Sequence, residues 1–121
     1  MKTLYEHADD IALGYEFEKD HWRLGPGCHK VIAVYPSYDQ LERETADYPE
    51  RDDIHFTVYG APLLGRRTAN IVAYRGDFLE AFSNPLTHDD LTAAREQNMR
   101  HLWVTQMLMC RLLPGGRIIL V

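Results

Sequence analysis

The chain predicts an α/β fold: a mostly parallel β-sheet in a single domain, residues 1–121, with helices on both faces and therefore three layers. Three observations predict it. From Lys30 to Glu44, KVIAVYPSYDQLERE passes from an unbroken apolar run through a Pro-Ser break into an amphipathic stretch, the pattern of a strand buried on both faces that feeds a helix. At the far end LLPGGRIILV, Leu112 to Val121, passes from a helix end through a Pro-Gly-Gly stop into a second apolar strand. Between the two, strand-like and helix-like segments alternate without a repeat, a low-complexity tract or a linker, and strands joined by helical crossovers lie parallel. The alternative that the pattern allows is an α+β sandwich in which residues 54–59 and 70–74 pair as a hairpin.

In chain order, Ile11-Ala12-Leu13 is a short apolar run ended by Gly14 and reads as a strand. EFEKDHWRL, Glu16 to Leu24, is the short polar helix after it, closed by Gly25-Pro26-Gly27. Val31 to Tyr35 is the second strand. Its helix opens at Ser37, an N-cap residue with Gln40 three positions on, and Leu41 lies on the apolar face. Ile54 to Tyr59 and Asn70 to Tyr74 are the third and fourth strands, separated by the loop GAPLLGRR. That loop has the glycines of a phosphate-binding loop but carries Arg66-Arg67 where Lys-Ser/Thr belongs, so it reads as a connector. Asp77 to Phe82 makes a turn of helix that Pro85 stops. A long helix starts near Thr87, with Asp90 three residues on, and runs to Leu113; Pro114-Gly115-Gly116 ends it, and Ile118 to Val121 is the last strand. Within that helix Met99, Leu102, Trp103, Gln106, Cys110 and Leu113 form the stripe expected to face the core, while Val104, Leu108 and Met109 make the other faces apolar too.

Bulk composition narrows the function. A formal charge of −5 with 26% charged residues argues against a protein built to grip phosphate backbones, so nucleic acid is not the expected partner. Two cysteines, Cys28 and Cys110, are too few for a disulfide framework, and no apolar leader opens the sequence, which points to the cytoplasm. The most apolar helical stretch, Leu102 to Leu113, is interrupted by Thr105, Gln106 and Arg111 and falls short of the roughly 20 residues that span a bilayer. The six histidines show no metal-site spacing, and no metal is expected.

Several segments taken as a series resemble the class I S-adenosylmethionine-dependent methyltransferases, which have a Rossmann-like fold. They are Pro36-Ser37 after the second strand, Leu63 after the third, Ile71-Val72 in the fourth, and Leu113-Pro114-Gly115-Gly116-Arg117 before the fifth. The resemblance implies S-adenosylmethionine as cofactor and a pocket at the carboxyl ends of the strands, at Gly14, Tyr15, Glu16, Tyr35, Pro36, Gly60 and Ala61. At these positions the chain departs from the family. Ala12 replaces the acid that ends the first strand, and Glu16 replaces a glycine of the turn. Tyr35 stands where the family has the carboxylate that accepts from both ribose hydroxyls, a bidentate role a phenol cannot fill. Gly60 stands where the family has the Asp that contacts adenine.

The resemblance and its departures together imply a degenerate methyltransferase-like protein that acts by protein association or by binding a different small ligand. Its alternatives are an active methyltransferase whose site is completed by oligomerisation, and an unrelated small inhibitor or adaptor. No catalytic residue is identifiable, because catalysis in this fold is mainly positioning of the methyl group. The family's sixth and seventh strands have no counterpart before Val121, so Ile118 to Val121 is expected to form an apolar edge that a second copy or a partner chain covers.

Overall fold

The computed structural model describes residues 2–14, 27–83 and 91–121. Its elements are α1 (Leu4–Gly14), β1 (Cys28–His29), β2 (Val31–Tyr35), α2 (Tyr38–Thr45), β3 (Ile54–Val58), β4 (Arg67–Ala73), α3 (Arg75–Phe82), α4 (Leu91–Gln106), a π-helical turn (Met107–Arg111) and β5 (Leu112–Leu120). The fold is mixed α/β. The sheet runs β3, β2, β4, β5, every pairing is parallel, and the short β1 lies against the start of β4. β3 and β4 flank β2 on opposite sides, so the hairpin alternative does not occur.

Burial explains the apolar runs. All five residues of β2 and six of the seven in β4 are buried. Because side chains alternate across a strand, one set packs under each layer of helices. Val31, Ala33, Tyr35 and Val72 meet Leu4, Ala8 and Ala12 of α1, with Leu41 of α2 beside them. Ile32, Val34, Ile71 and Ala73 meet Met107, Phe78 of α3 and Trp103 of α4. Helices α1 and α2 therefore cover one face, and α3 and α4 the other.

The structure corrects the expected first strand. Ile11-Ala12-Leu13 is the last turn of α1, because Leu4, Ala8 and Ala12 recur every fourth residue and bury one helical stripe. No strand stands between β2 and β4, which pair directly through Ile32↔Ile71 and Val34↔Ala73. The expected polar helix at 16–24, Pro85 and the helix start near Thr87 lie outside the described residues. The N-cap of α2 forms as expected, Ser37 Oγ accepting from the Gln40 N–H at 3.3 Å. The Gln40 side chain turns instead to Glu44, 3.1 Å away.

The expected core stripe of the long helix is also corrected. Met99 is 65% and Leu102 54% exposed, while Val104 and Met107 are buried. A helix whose apolar residues are spread over several faces does not choose its face by hydropathy. A polar contact coincides with the choice here: the buried Gln97 amide donates to the Glu80 carbonyl near the end of α3. Further along, His101 Nδ1 lies 2.8 Å from the Phe82 carbonyl.

The last strand starts at Leu112, six residues before the expected Ile118, because Pro114-Gly115-Gly116 forms a bulge inside the strand rather than a stop before it. The register passes from Thr68↔Leu112 to Asn70↔Arg117 across this segment, and Arg117 Nε donates to Asn70 Oδ1 at 2.8 Å. Gly116 is required by space: a Cβ there would lie 2.8 Å from the Leu113 carbonyl oxygen and 2.9 Å from that of Ala69. Gly116→Ala is expected to cost about 2 kcal/mol by overpacking against backbone, read as a lowered urea midpoint with an unchanged slope.

Candidate functional site

The chain passes from β2 to β3 on one side and then to β4 on the other, so the topological switch point lies between β2 and β4. In open α/β sheets ligands bind outside the carboxyl ends of the strands at that point. Here a hydrogen-bonded hub stands at the switch point. Tyr35, the last residue of β2 and fully buried, donates its phenol to Glu44 Oε1 at 3.2 Å. Tyr74, just beyond β4, donates to Glu44 Oε2 at 3.1 Å. The same carboxylate accepts the Leu4 N–H at 3.0 Å, so Glu44 of α2 caps the amino end of α1, where a negative charge is favoured. Burial first, and the Glu44 charge second, push the Tyr35 and Tyr74 phenols above their ordinary range and keep both protonated as donors.

The residues expected to hold S-adenosylmethionine are distributed as follows. Tyr35 and the half-buried Pro36 end β2; Gly60 and Ala61 follow β3, whose Val58 is paired with Tyr35. Gly60 is exposed with φ +89°, a turn conformation that favours glycine. The Ala61 carbonyl accepts from the Trp103 indole at 2.7 Å. Gly14 is not beside them: α1 starts at Glu44 and ends at Gly14, about 15 Å along the helix axis, where an added Cβ would meet nothing within 4 Å. Tyr15 and Glu16 lie outside the described residues.

Beside Gly60, a cleft of about 340 Å³ lies between the loop after β3 and α4, walled by Pro62, Leu63, Leu64, Met99, Leu102 and Trp103. The Tyr59 ring stands edge-on to Trp103, centroids 5.7 Å apart, and its hydroxyl is buried without a hydrogen-bond partner among the described residues. Burial, then the nearby charge of Asp77, raises that phenol.

A second group sits at the amino ends of the strands. His29 Nδ1 is 3.1 Å from the Asp52 carbonyl, which only accepts, so Nδ1 carries the proton and Nε2 accepts from Arg66 Nη1 at 3.0 Å. The imidazole is therefore neutral. Burial is the main cause that lowers its pKa, with the Arg66 charge assisting. The His55 ring lies 5.4 Å from that of His29, and burial, Arg66 and His29 together bring it down to about 4. Glu44, Tyr74 and this histidine pair were not singled out in the sequence. The separations of Glu44 from Leu4 and of His29 from His55 leave no local pattern to find.

Among the described residues no group of three or more His, Cys, Asp or Glu is placed to hold a metal ion, and no helix is long and apolar enough to cross a membrane. Compared with protein-family models, curated proteins and solved structures, the chain matches none.

Two outcomes follow. Glu44→Ala leaves the buried Tyr35 hydroxyl and the first amides of α1 without their acceptor, and is expected to cost about 3 kcal/mol in urea unfolding. Acid should act through His55. Above its ordinary value of 6.5 the ring is neutral in folded and unfolded chains alike and contributes no pH dependence. Below 6.5 the unfolded chain takes up a proton that the native state refuses until about 4, so stability falls as pH drops through that window. His55→Gln is expected to flatten that part of the stability profile.

Proposed function

We propose that the chain is a methyltransferase-like domain that does not methylate and works by association, its unit being a pair of chains packed along α4. The observation that carries this is the exposed group Met99, Leu102, Gln106 and Met109. The first three are spaced three and four residues apart on α4, the repeat of a helix-packing seam, and Met109 lies beyond them in the π-helical turn. All four are exposed, Met109 to 78%. Exposed apolar rows of this kind mark interaction surfaces, and Gln106 within the row would set the register of the pairing. Leu64, 86% exposed, extends the surface across the cleft.

The state of the cofactor positions supports the other half of the reading. Tyr35, where the family places the ribose-binding carboxylate, is spent on Glu44 inside the core, and Gly60 offers no side chain to adenine. Each lost charge-assisted hydrogen bond is worth about 1.5–3 kcal/mol, so affinity for S-adenosylmethionine should fall by orders of magnitude. Cys28 and Cys110 are both free thiols, which supports a reducing compartment such as the cytoplasm.

Sedimentation at micromolar concentration should give a dimer. Leu102→Glu, at an exposed position, should give a folded monomer. An alternative contact is the outer edge of β5, which has no strand beside it among the described residues. The Val121 N–H bonds to Ala73, so by alternation the N–H groups of Ile118 and Leu120 point outward. A dimer that survives Leu102→Glu but is lost in a folded Leu120→Pro variant moves the interface to that edge. A monomeric wild type overturns the association, and a micromolar calorimetric isotherm with S-adenosylmethionine overturns the claim that the site has lost its cofactor.

A further inference from the structure

A second cavity lies away from both the switch point and α4. It has a volume of about 760 Å³, within the range of small-molecule sites, and it opens at the amino ends of β1 and β3. Two sets of side chains converge on it. One is cationic and imidazole: Arg66, His29 and His55. The other is aromatic: Phe56, Tyr5 and Tyr48 stack in series, with ring centroids 5.2 Å and 3.8 Å apart. Tyr5 is enclosed between its two neighbours and buried, whereas Tyr48, at the end of the stack, is 45% exposed.

The charges around the cavity leave one cation uncompensated. Arg51 is held by Asp53 at 2.9 Å and by Asp9, and those bonds keep its guanidinium charged. Arg66, by contrast, donates to a neutral imidazole, and no carboxylate pairs with it among the described residues. A guanidinium has five N–H donors in a planar fork, and His29 takes one bond in this arrangement. His55 lines the same wall, and its ring has no hydrogen bond to protein among the described residues. Glu50 and Asp52, the carboxylates that also line the cavity, are both exposed.

We propose that this cavity binds a small aromatic oxyanion, a planar ring bearing phosphate or carboxylate, with Arg66 and His55 on the oxyanion and Tyr48 against the ring. The fork of Arg66 matches the geometry of two oxygens of either head group. An anion there would also favour the imidazolium of His55, whose charge is now suppressed by burial and by Arg66. The ring of the ligand would extend the Phe56, Tyr5, Tyr48 stack by one member. The site does not depend on pairing along α4, since the cavity and the exposed helical row share no residue.

The test uses the full chain with phenyl phosphate, benzoate and inorganic phosphate as probes, read by calorimetry and by proton resonances of the His55 ring. Phenyl phosphate or benzoate should bind, and the tighter of the two identifies the head group. Binding should move the His55 titration upward from about 4, so affinity through His55 should increase as pH falls toward 4. Arg66→Gln should weaken binding about tenfold or more, with Arg66→Lys intermediate because it keeps the charge but loses the fork. Tyr48→Ala should weaken phenyl phosphate and leave inorganic phosphate unchanged. The titration of the wild-type protein stands even if a variant fails to fold. No heat and an unmoved His55 titration with phenyl phosphate and benzoate at millimolar concentration would overturn the site. Inorganic phosphate binding as tightly as phenyl phosphate would overturn the role of the ring.

Discussion

The carboxylate of Glu44 ties together more of this molecule than any other described side chain. It sits on α2, caps the first turn of α1, and accepts from a tyrosine at the end of β2 and another beyond the end of β4. Four elements thus share one acceptor. A parallel sheet buried on both faces needs its helices placed accurately, since every residue of β2 must meet one layer or the other. Hydrophobic contact is non-directional and sets the layers without setting the angle of α1. The amides at its amino end, which have no partner within the helix, are directional, and Glu44 answers them. An anionic acceptor also suits the partial positive charge of a helix start.

That arrangement shapes what the switch point can do. Protein groups face one another there, phenol to carboxylate to amide, and each donor is spent on an internal partner. At the amino ends of the strands, by contrast, Arg66 and the two histidines gather around a cavity. Exposed apolar side chains include Leu91, Met99 and Leu102 of α4 and Leu64 of the loop that faces it. Charge is divided along the chain in a related way. Residues 1–65 carry 6 Lys and Arg against 13 Asp and Glu, a net of −7, and residues 66–121 carry 7 against 5, a net of +2. The acidic segment supplies α1 and α2, and the basic one supplies Arg66 and α4.

Two local features differ from what their apolar pattern predicts, for the same reason. Ile11-Ala12-Leu13 is short and apolar, and such a run is compatible with a strand or with the last turn of a helix. The spacing of Leu4, Ala8 and Ala12 decides for the helix once residues further upstream are included. In α4 the chosen stripe was one of several apolar ones, and what accompanies the true face is Gln97 reaching carbonyls at the end of α3. A glutamine beside Arg95, Glu96 and Asn98 reads as a surface position. Here it is buried, and its amide donates to carbonyls at a helix end.

The sequence by itself determined that this is an α/β unit with a parallel sheet, because VIAVY and IVA are apolar at every position and lie between helical segments, the pattern of strands covered on both faces. It also determined the start of α2, since Ser37 is a local signal acting over three residues. The tertiary structure alone decided which strands are neighbours, because register and order depend on contacts between residues tens of positions apart. It alone assembled Glu44 with Leu4 and Tyr74, and His29 with Asp52, His55 and Arg66, since side chains so far apart in the chain have no spacing rule that announces them. Gly116 lies between the two cases. Its glycine is visible in the sequence as a break, but the two carbonyl oxygens that forbid a side chain there, from Leu113 and from Ala69, are brought against it only when β5 lies down beside β4.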